Sequence, residues 1–290
     1  MRWPPGLPSK PSFACSDARP ATLARRCLPM KPIGFLPVAL LFLVSVAVSQ
    51  EAKSFRDQQL QYPRVRAAAG EKDPALRRMC REKNISYPPR AILFRAFKRE
   101  ARLELWALGN TGDTYILVDT YAICASSGVL GPKRKFGDGQ VPEGFYQLDW
   151  FNPQSNFFLS LHISYPNNAD RILGSHANPG GDIFLHGNCV TIGCIPITDE
   201  GIKAVYWLAV EVHAAGQRHI PIEIFPGELT EEGFRWLARS HANQPELLAF
   251  WSNLREGFDL FEKDHRALKV TVAGDGRYRF NEERGSREIR

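Results

Sequence analysis

Residues 128–144, GVLGPKRKFGDGQVPEG, hold five glycines and two prolines, and no regular element can run through such a stretch. Glycine costs a helix interior about 1 kcal/mol and proline about 3, and proline also removes a donor from a strand ladder. The stretch is therefore an extended loop. It is not a phosphate cradle, because no Gly-Lys-Ser/Thr closes it and no helix follows. On both sides the pattern is β. AILFRAFKRE precedes ARLELWALGN, where Leu103, Leu105 and Ala107 alternate with exposed neighbours, and TYILVDTYAICAS follows a turn at Asn110–Asp113. FFLSLHISY, GDIFLHG and IPIEIFP are further strands beyond the loop.

Helical spacing begins at DEGIKAVYWLAVEVHAAG, with Thr198 as N-cap and Gly216 as stop. After Pro226 the chain reads as two more helices, LTEEGFRWLARSH with Thr230 as cap and PELLAFWSNLREGFDLFEKD. A hairpin, KVTVAGDGRYRF, turns at Gly274–Gly276. Phe250, Trp251, Phe258 and Phe261 are expected in the core rather than on a glycan. The fold expected is mainly β with α, an α+β class. It has a mixed-sheet domain at 89–227 and a small helical and hairpin appendage at 228–290. Residues 50–88 read as a polar linker with one short helix from an Asp73 cap through Lys83. No repeats or low-complexity runs appear.

The formal charge of +6 belongs largely to the first 49 residues, which carry six basic side chains against Asp17. The remainder has 31 basic and 30 acidic residues, so nothing recommends nucleic acid as a partner. From Met30, MKPIGFLPVALLFLVSVAVSQ has a basic start at Lys31, an apolar run from Ile33 to Val48 and a small-x-small exit at Ala47 and Ser49. That is the layout of a secretory signal over 30–49. The run is short for a span of roughly 20 residues and contains Pro37, which leaves no stable membrane span after cleavage; an uncleaved anchor is the alternative. Residues 1–29 read as an upstream extension. The expected location is outside the inner membrane, in the periplasm.

Export makes disulfides possible for Cys80, Cys124, Cys189 and Cys194, and one bridge with two free thiols is open. The chemistry concentrates in FLHGNCVTIGCIP, residues 184–196, which spacing alone leaves with three readings. Zinc needs a second ligand pair, and only distant His162 and His176 could complement His186, Cys189 and Cys194; no metal and no other cofactor is assigned. A Cys189–Cys194 clip closes a loop too short to contribute much. A nucleophile needs a base and oxyanion donors. Gly193, without a Cβ, allows close backbone approach at Cys194, and His186 at a strand end is placed to form an ion pair with the thiol.

HGNCVTIGC resembles the signature of the YkuD-type L,D-transpeptidases, a His-Gly on a strand ahead of a Ser/Thr-x-Gly-Cys turn. GPKRKFGDGQVPEGFYQL, LHISYPNNADR, DIFLHG, TIGCIPITDEGIKAVY and FWSNLREGFDLFE fall in the order of the YafK-like branch, over roughly residues 88–280. The resemblance implies a YkuD-like catalytic domain acting on peptidoglycan stem peptides. Cys194 is then the nucleophile, His186 the base, and the Gly193 and Cys194 N–H groups the oxyanion donors. A thioester passes its acyl group to an amine or to water. The branch includes enzymes that cut a lipoprotein from peptidoglycan, so amide hydrolysis, with a peptidoglycan-linked lipoprotein as partner, is the runner-up; a catalytically silent wall-binding module is a further rival. Tyr165, Asn167 and Arg171 match a segment bordering the family's cleft, with Thr191 and Gly187 beside the nucleophile, and these five are the candidate substrate-binding residues. His162 is a further candidate without an assigned role, and Lys133, Arg134 and Lys135 are candidates to guide an anionic peptide. Ile192 and Pro196 depart from the basic residues often found two before and two after the nucleophile, which leaves His186 as base and the substrate carboxylate without its usual partner.

Overall fold

The computed structural model describes residues 53–282; the signal and extension expected at 1–49 lie outside them. Two helices, α1 (Phe55–Gln59) and α2 (Pro63–Glu82), precede the strands β1 (Ile92–Phe97), β2 (Arg102–Leu108) and β3 (Tyr115–Ala122). Beyond the loop come β4 (Gly144–Asn152), β5 (Ser160–Ile163), α3 (Asn168–Leu173), β6 (Phe184–His186) and β7 (Ile195–Pro196). Then follow α4 (Thr198–Ala214), β8 (Ile220–Phe225), α5 (Glu231–Ser240), α6 (Pro245–Asp264) and a hairpin of β9 (Leu268–Val272) with β10 (Tyr278–Glu282). The first eight strands form one sheet in the order β3-β2-β1-β8-β4-β5-β6-β7. Only β1–β8 and β6–β7 pair in parallel, so the sheet is mixed and the class is α+β.

Strand β1 explains the layering. All six of its residues are buried, so it reads as a near-continuous apolar run rather than an alternation. Ile92, Phe94 and Ala96 join the core that α2 and α4 cover, while Leu93 and Phe97 face the α6 side. Each such aliphatic or aromatic side chain stabilises the fold by about 1.5–3 kcal/mol on burial. Trp251, Phe258 and Phe261 pack there as core, with Phe250 half-buried beside them. Thr230 caps α5 as expected, its Oγ1 accepting the Gly233 N–H at 3.1 Å; Thr198 is instead the first residue of α4, after Ile197 at the cap position, although its Oγ1 accepts the Gly201 N–H at 3.1 Å.

Of the stretch expected as a linker, the described residues 53–88 are not one. Helix α2 runs twenty residues, straight through Pro74, and buries Val65, Ala68, Leu76 and Cys80 against α4. Asp73 is no cap either. Its carboxylate accepts from Tyr87 Oη at 2.6 Å, Trp207 Nε1 at 3.0 Å and Arg77 Nε at 2.6 Å, tying α2 to α4. Tertiary packing has overridden the Asp-Pro start signal. Residues 53–282 belong to one compact unit, and the C-terminal helices share a core with Phe97 of β1 and Phe225 of β8.

The Gly/Pro-rich loop has no regular structure between Ile123 and Glu143, yet it is firmly held. The buried Lys98 ammonium donates to the carbonyls of Val129, Gly131 and Val141 at 3.2, 2.8 and 3.0 Å and pairs with Glu143 at 2.9 Å. One cation thus gathers both ends of the loop, which passes close over Gly193.

Candidate active site

The site is built where the sheet is narrowest. Strand β6 has three residues and β7 two, paired in parallel with Leu185 opposite Ile195 and His186 opposite Pro196. Parallel neighbours usually need a crossover of a dozen or more residues; here residues 187–194 make the return alone. The chain turns sharply to do so. Asn188 sits at φ +61° and Gly193 at φ +129°, and the second value is open to glycine but strained for other residues. A Cβ on Gly193 would also stand 3.2 Å from the Gln140 carbonyl.

Three attachments hold the turn. Cys189 is bonded to Cys124, which follows β3 and donates its N–H to the Pro196 carbonyl at 3.0 Å. Asp199 of α4 accepts the Asn188 N–H at 2.8 Å. Thr191 Oγ1 accepts the Gly193 N–H at 3.2 Å and donates to the Cys194 carbonyl at 2.8 Å. Thr191 is therefore a brace of the turn rather than a substrate contact, and the Gly193 N–H is taken, which corrects its expected role as an oxyanion donor. The bridge also removes Cys189 from any zinc set and from a Cys189–Cys194 clip. Among the described residues, no group of three or more His, Cys, Asp or Glu is placed to hold a metal ion.

Cys194 is free and half-buried. Its Sγ accepts the Phe184 N–H at 3.4 Å and donates to the Asp182 carbonyl at 3.7 Å. His186 lies two residues along β6 from Phe184, a rise of about 7 Å, on the same face of the strand. The ring is 1% exposed, with Phe157 tilted on it at 4.6 Å between centroids. Its Nδ1 bonds the Gly187 carbonyl. A carbonyl only accepts, so Nδ1 carries the proton and Nε2 keeps the lone pair. Gly187 acts through this carbonyl. A Cβ there would meet Asp199 at 2.6 Å and Ile202 at 2.9 Å, so its α-carbon is packed on α4, not presented to a substrate.

The electrostatics replace the expected ion pair by a neutral one. Burial pushes the Cys194 thiol up, against the opposing Phe184 N–H. Burial likewise pulls the His186 imidazole down, against the Gly187 carbonyl. Both groups therefore favour their uncharged forms, a neutral imidazole on β6 and a protonated thiol hydrogen-bonded to the same strand at Phe184.

The remaining candidates divide. Tyr165 is buried and donates to the Pro179 carbonyl at 2.9 Å, closing the loop over residues 131–138. Asn167 caps α3 in a reciprocal box with Asp170, and its Nδ2 donates to Phe145 O at 3.0 Å and Tyr278 Oη at 2.9 Å. Both side chains are thus engaged in hydrogen bonds within the fold. Arg171 is exposed. Lys133 is buried against Asp138 at 2.6 Å, Arg134 lies over the Phe250 ring, and Lys135 alone of the three is exposed.

No family model matches this chain. Among curated proteins it is 33% identical over 189 residues to YafK of Escherichia coli (strain K12), which carries an L,D-transpeptidase designation; the match spans 64% of this chain and 72% of YafK. The chain belongs to the YafK-like L,D-transpeptidase family. Among solved structures, the helical cell shape determining protein Pgp2 of Campylobacter jejuni (K307A mutant) aligns at 17% identity with a TM-score of 0.37, over 62% of this chain and 72% of that one. Bd1075 of Bdellovibrio bacteriovorus aligns at 19% identity with a TM-score of 0.33, over 63% and 74%.

The two residues that depart from the pattern of better-known transpeptidases flank Cys194 in different settings. Ile192 is 90% exposed, and Pro196 is buried in β7 opposite His186. Sequence reasoning misses the Asp182 carbonyl, the Gln140 carbonyl, Phe157 and Cys124 as neighbours of the turn. The first three touch through backbone or ring packing, which leaves no residue-type signal. Cys124 is visible as a cysteine, but not its partner.

Proposed function

We propose that this chain is a cysteine acyltransferase of the L,D-transpeptidase type, acting in the periplasm on peptidoglycan stem peptides. The observation that carries the reading is the eight-residue return between β6 and β7, which sets a free thiol at Cys194 beside the strand that bears His186, a neutral imidazole oriented through its Nδ1–H. Residues 89–227 form the catalytic part in this reading, with 228–290 as its support.

The chemistry runs through a thioester. His186 Nε2 takes the thiol proton as Cys194 Sγ bonds to the carbonyl carbon of the third residue of a stem peptide. The Cys194 N–H is the backbone donor assigned to the developing oxyanion. When the tetrahedral adduct collapses, the carbon–nitrogen bond breaks and the imidazolium returns the proton to the leaving amine. The acyl group then passes to an entering amine, giving transpeptidation, or to water, giving hydrolysis. Starting from a neutral pair means that proton transfer accompanies attack.

A carbapenem, opened by the same attack, is expected to add its mass to the purified protein. Cys194→Ala is expected to abolish the adduct with the fold intact, and His186→Gln to slow its formation by 10²–10⁴, the usual range for a lost general base. An unmodified wild-type protein would instead support a silent wall-binding module.

A further inference from the structure

The face of the sheet beyond Phe184 is organised along one line. Trp150 of β4 is opposite His162 of β5, His162 is opposite Phe184 of β6, and Phe184 lies beside Cys194. Cross-strand partners project from the same face, and the rings do meet: His162 and Phe184 are 5.2 Å apart and Trp150 and Phe184 6.0 Å apart. A register shift in β4 between Leu148 and Trp150 places Asp149 so that its Oδ1 accepts from His162 Nδ1 at 2.6 Å. A carboxylate only accepts, so His162 Nδ1 carries a proton and Nε2 is left free of this bond, and the Asp149 carboxylate remains partly open to solvent. Trp150 is 54% exposed and Trp236 41%, whereas Trp106, Trp207 and Trp251 are buried. None of these three polar or aromatic groups has a role in the core or in the acyl-transfer step.

We propose that Trp150, with the Asp149–His162 pair, is a subsite for a pyranose ring of the glycan strand to which the donor stem peptide is attached. The proposal deepens the reading of Cys194 as nucleophile and rests on it. An indole half-open to solvent offers a flat apolar surface for the C–H face of a sugar. The carboxylate beside it accepts its hydroxyl and amide hydrogens, and the imidazole edge offers a polar partner to its oxygens or hydroxyls. Length fixes the occupant. With strands about 4.8 Å apart, the Trp150 backbone stands three spacings, about 14 Å, from Cys194, and its indole leans back along the row to 6.0 Å from the Phe184 ring. An extended peptide covers at most about 3.3–3.6 Å per residue. A stem whose third carbonyl is on Cys194 thus covers about 10–11 Å along the row, which brings its lactyl link and sugar within reach of the indole.

The test compares two donors on the full-length protein: a disaccharide-tetrapeptide, and the same tetrapeptide freed of its sugars. The wild type is expected to use the sugar-bearing donor with a kcat/KM at least tenfold higher. Trp150→Ala is expected to bring that ratio to about one, and Asp149→Asn and His162→Gln to lower it partway. Formation of the carbapenem adduct reports that each variant is folded. A wild-type ratio near one overturns the proposal, as does a ratio that survives in Trp150→Ala because both donors weaken together, which would assign the row to the peptide. Wild-type protein that accepts neither donor nor the carbapenem takes down the nucleophile reading and this inference with it, a result distinct from either ratio.

Discussion

The middle of the sheet and its β7 end are made in opposite ways. In β2, β1 and β8 the strands are six or seven residues long and mostly buried, and their pairing is clothed by helices on both faces. Toward the β7 end β5, β6 and β7 shrink to four, three and two residues. Backbone pairing cannot by itself hold so short an edge. Covalent and side-chain ties do it instead: the Cys124–Cys189 bridge, the Thr191 hydroxyl and Asp199. The contrast teaches where rigidity comes from. The middle is held by burial; the β7 end is held by a few named bonds, and that is the end that carries the thiol.

The largest effect is expected in the buried half. Phe94 is fully buried at the centre of β1, and Phe94→Ala is expected to cost about 3–5 kcal/mol in urea unfolding through lost burial and the cavity left behind. Carbapenem acylation of the protein that remains folded should be little changed. A folded fraction that no longer acylates would show that the two regions are not independent.

Next comes the bridge. It closes a separation of 65 residues, and replacing both Cys124 and Cys189 by Ser is expected to lower stability by about 2–4 kcal/mol. Hydrogen exchange locates the effect: amides of 184–196 should lose protection below the global unfolding free energy, while those of β1, β2 and β8 should follow global unfolding. Uniform loss across the sheet would mean that both regions draw their rigidity from one source.

The same contrast separates what the amino-acid sequence makes legible from what it hides. The long strands, the Thr230 cap and the aromatic core of α6 follow from period and capping chemistry, which are local. Helix α2 is hidden because its buried stripe is thin, Val65, Ala68, Leu76 and Cys80 among many charged residues, and because Asp73-Pro74 imitates a helix start. The thiol and imidazole are legible as residue types at a suggestive spacing, but their charge state is not. Burial raises one pKa and lowers the other, and burial belongs to the assembled fold. Partners are likewise out of reach: the sequence does not say which two of the four cysteines pair, and only the approach of β3's end to Pro196 selects Cys124 with Cys189. Tyr165 and Asn167 stand out in the sequence, but their partners in the fold do not, since a Tyr hydroxyl or an Asn amide satisfies a buried carbonyl as readily as a substrate.

The smallest change in stability comes with the sharpest question about the narrow end. Thr191→Val keeps the shape of the side chain and deletes the hydroxyl that links the Gly193 N–H to the Cys194 carbonyl. Thr191 is only half-buried, so water replaces part of the loss and the cost is expected near 1 kcal/mol. If the turn depends on this brace to present the thiol, carbapenem acylation falls about tenfold, the rate equivalent of roughly 1.4 kcal/mol, although global unfolding hardly moves. The variant also releases the Gly193 N–H, which points the other way: a second backbone donor for the oxyanion should raise the rate. The sign of the change in acylation therefore separates two uses of one hydrogen bond. A fall makes Thr191 the positioning residue of the nucleophile turn, and a rise makes Gly193 a donor that the native turn holds back.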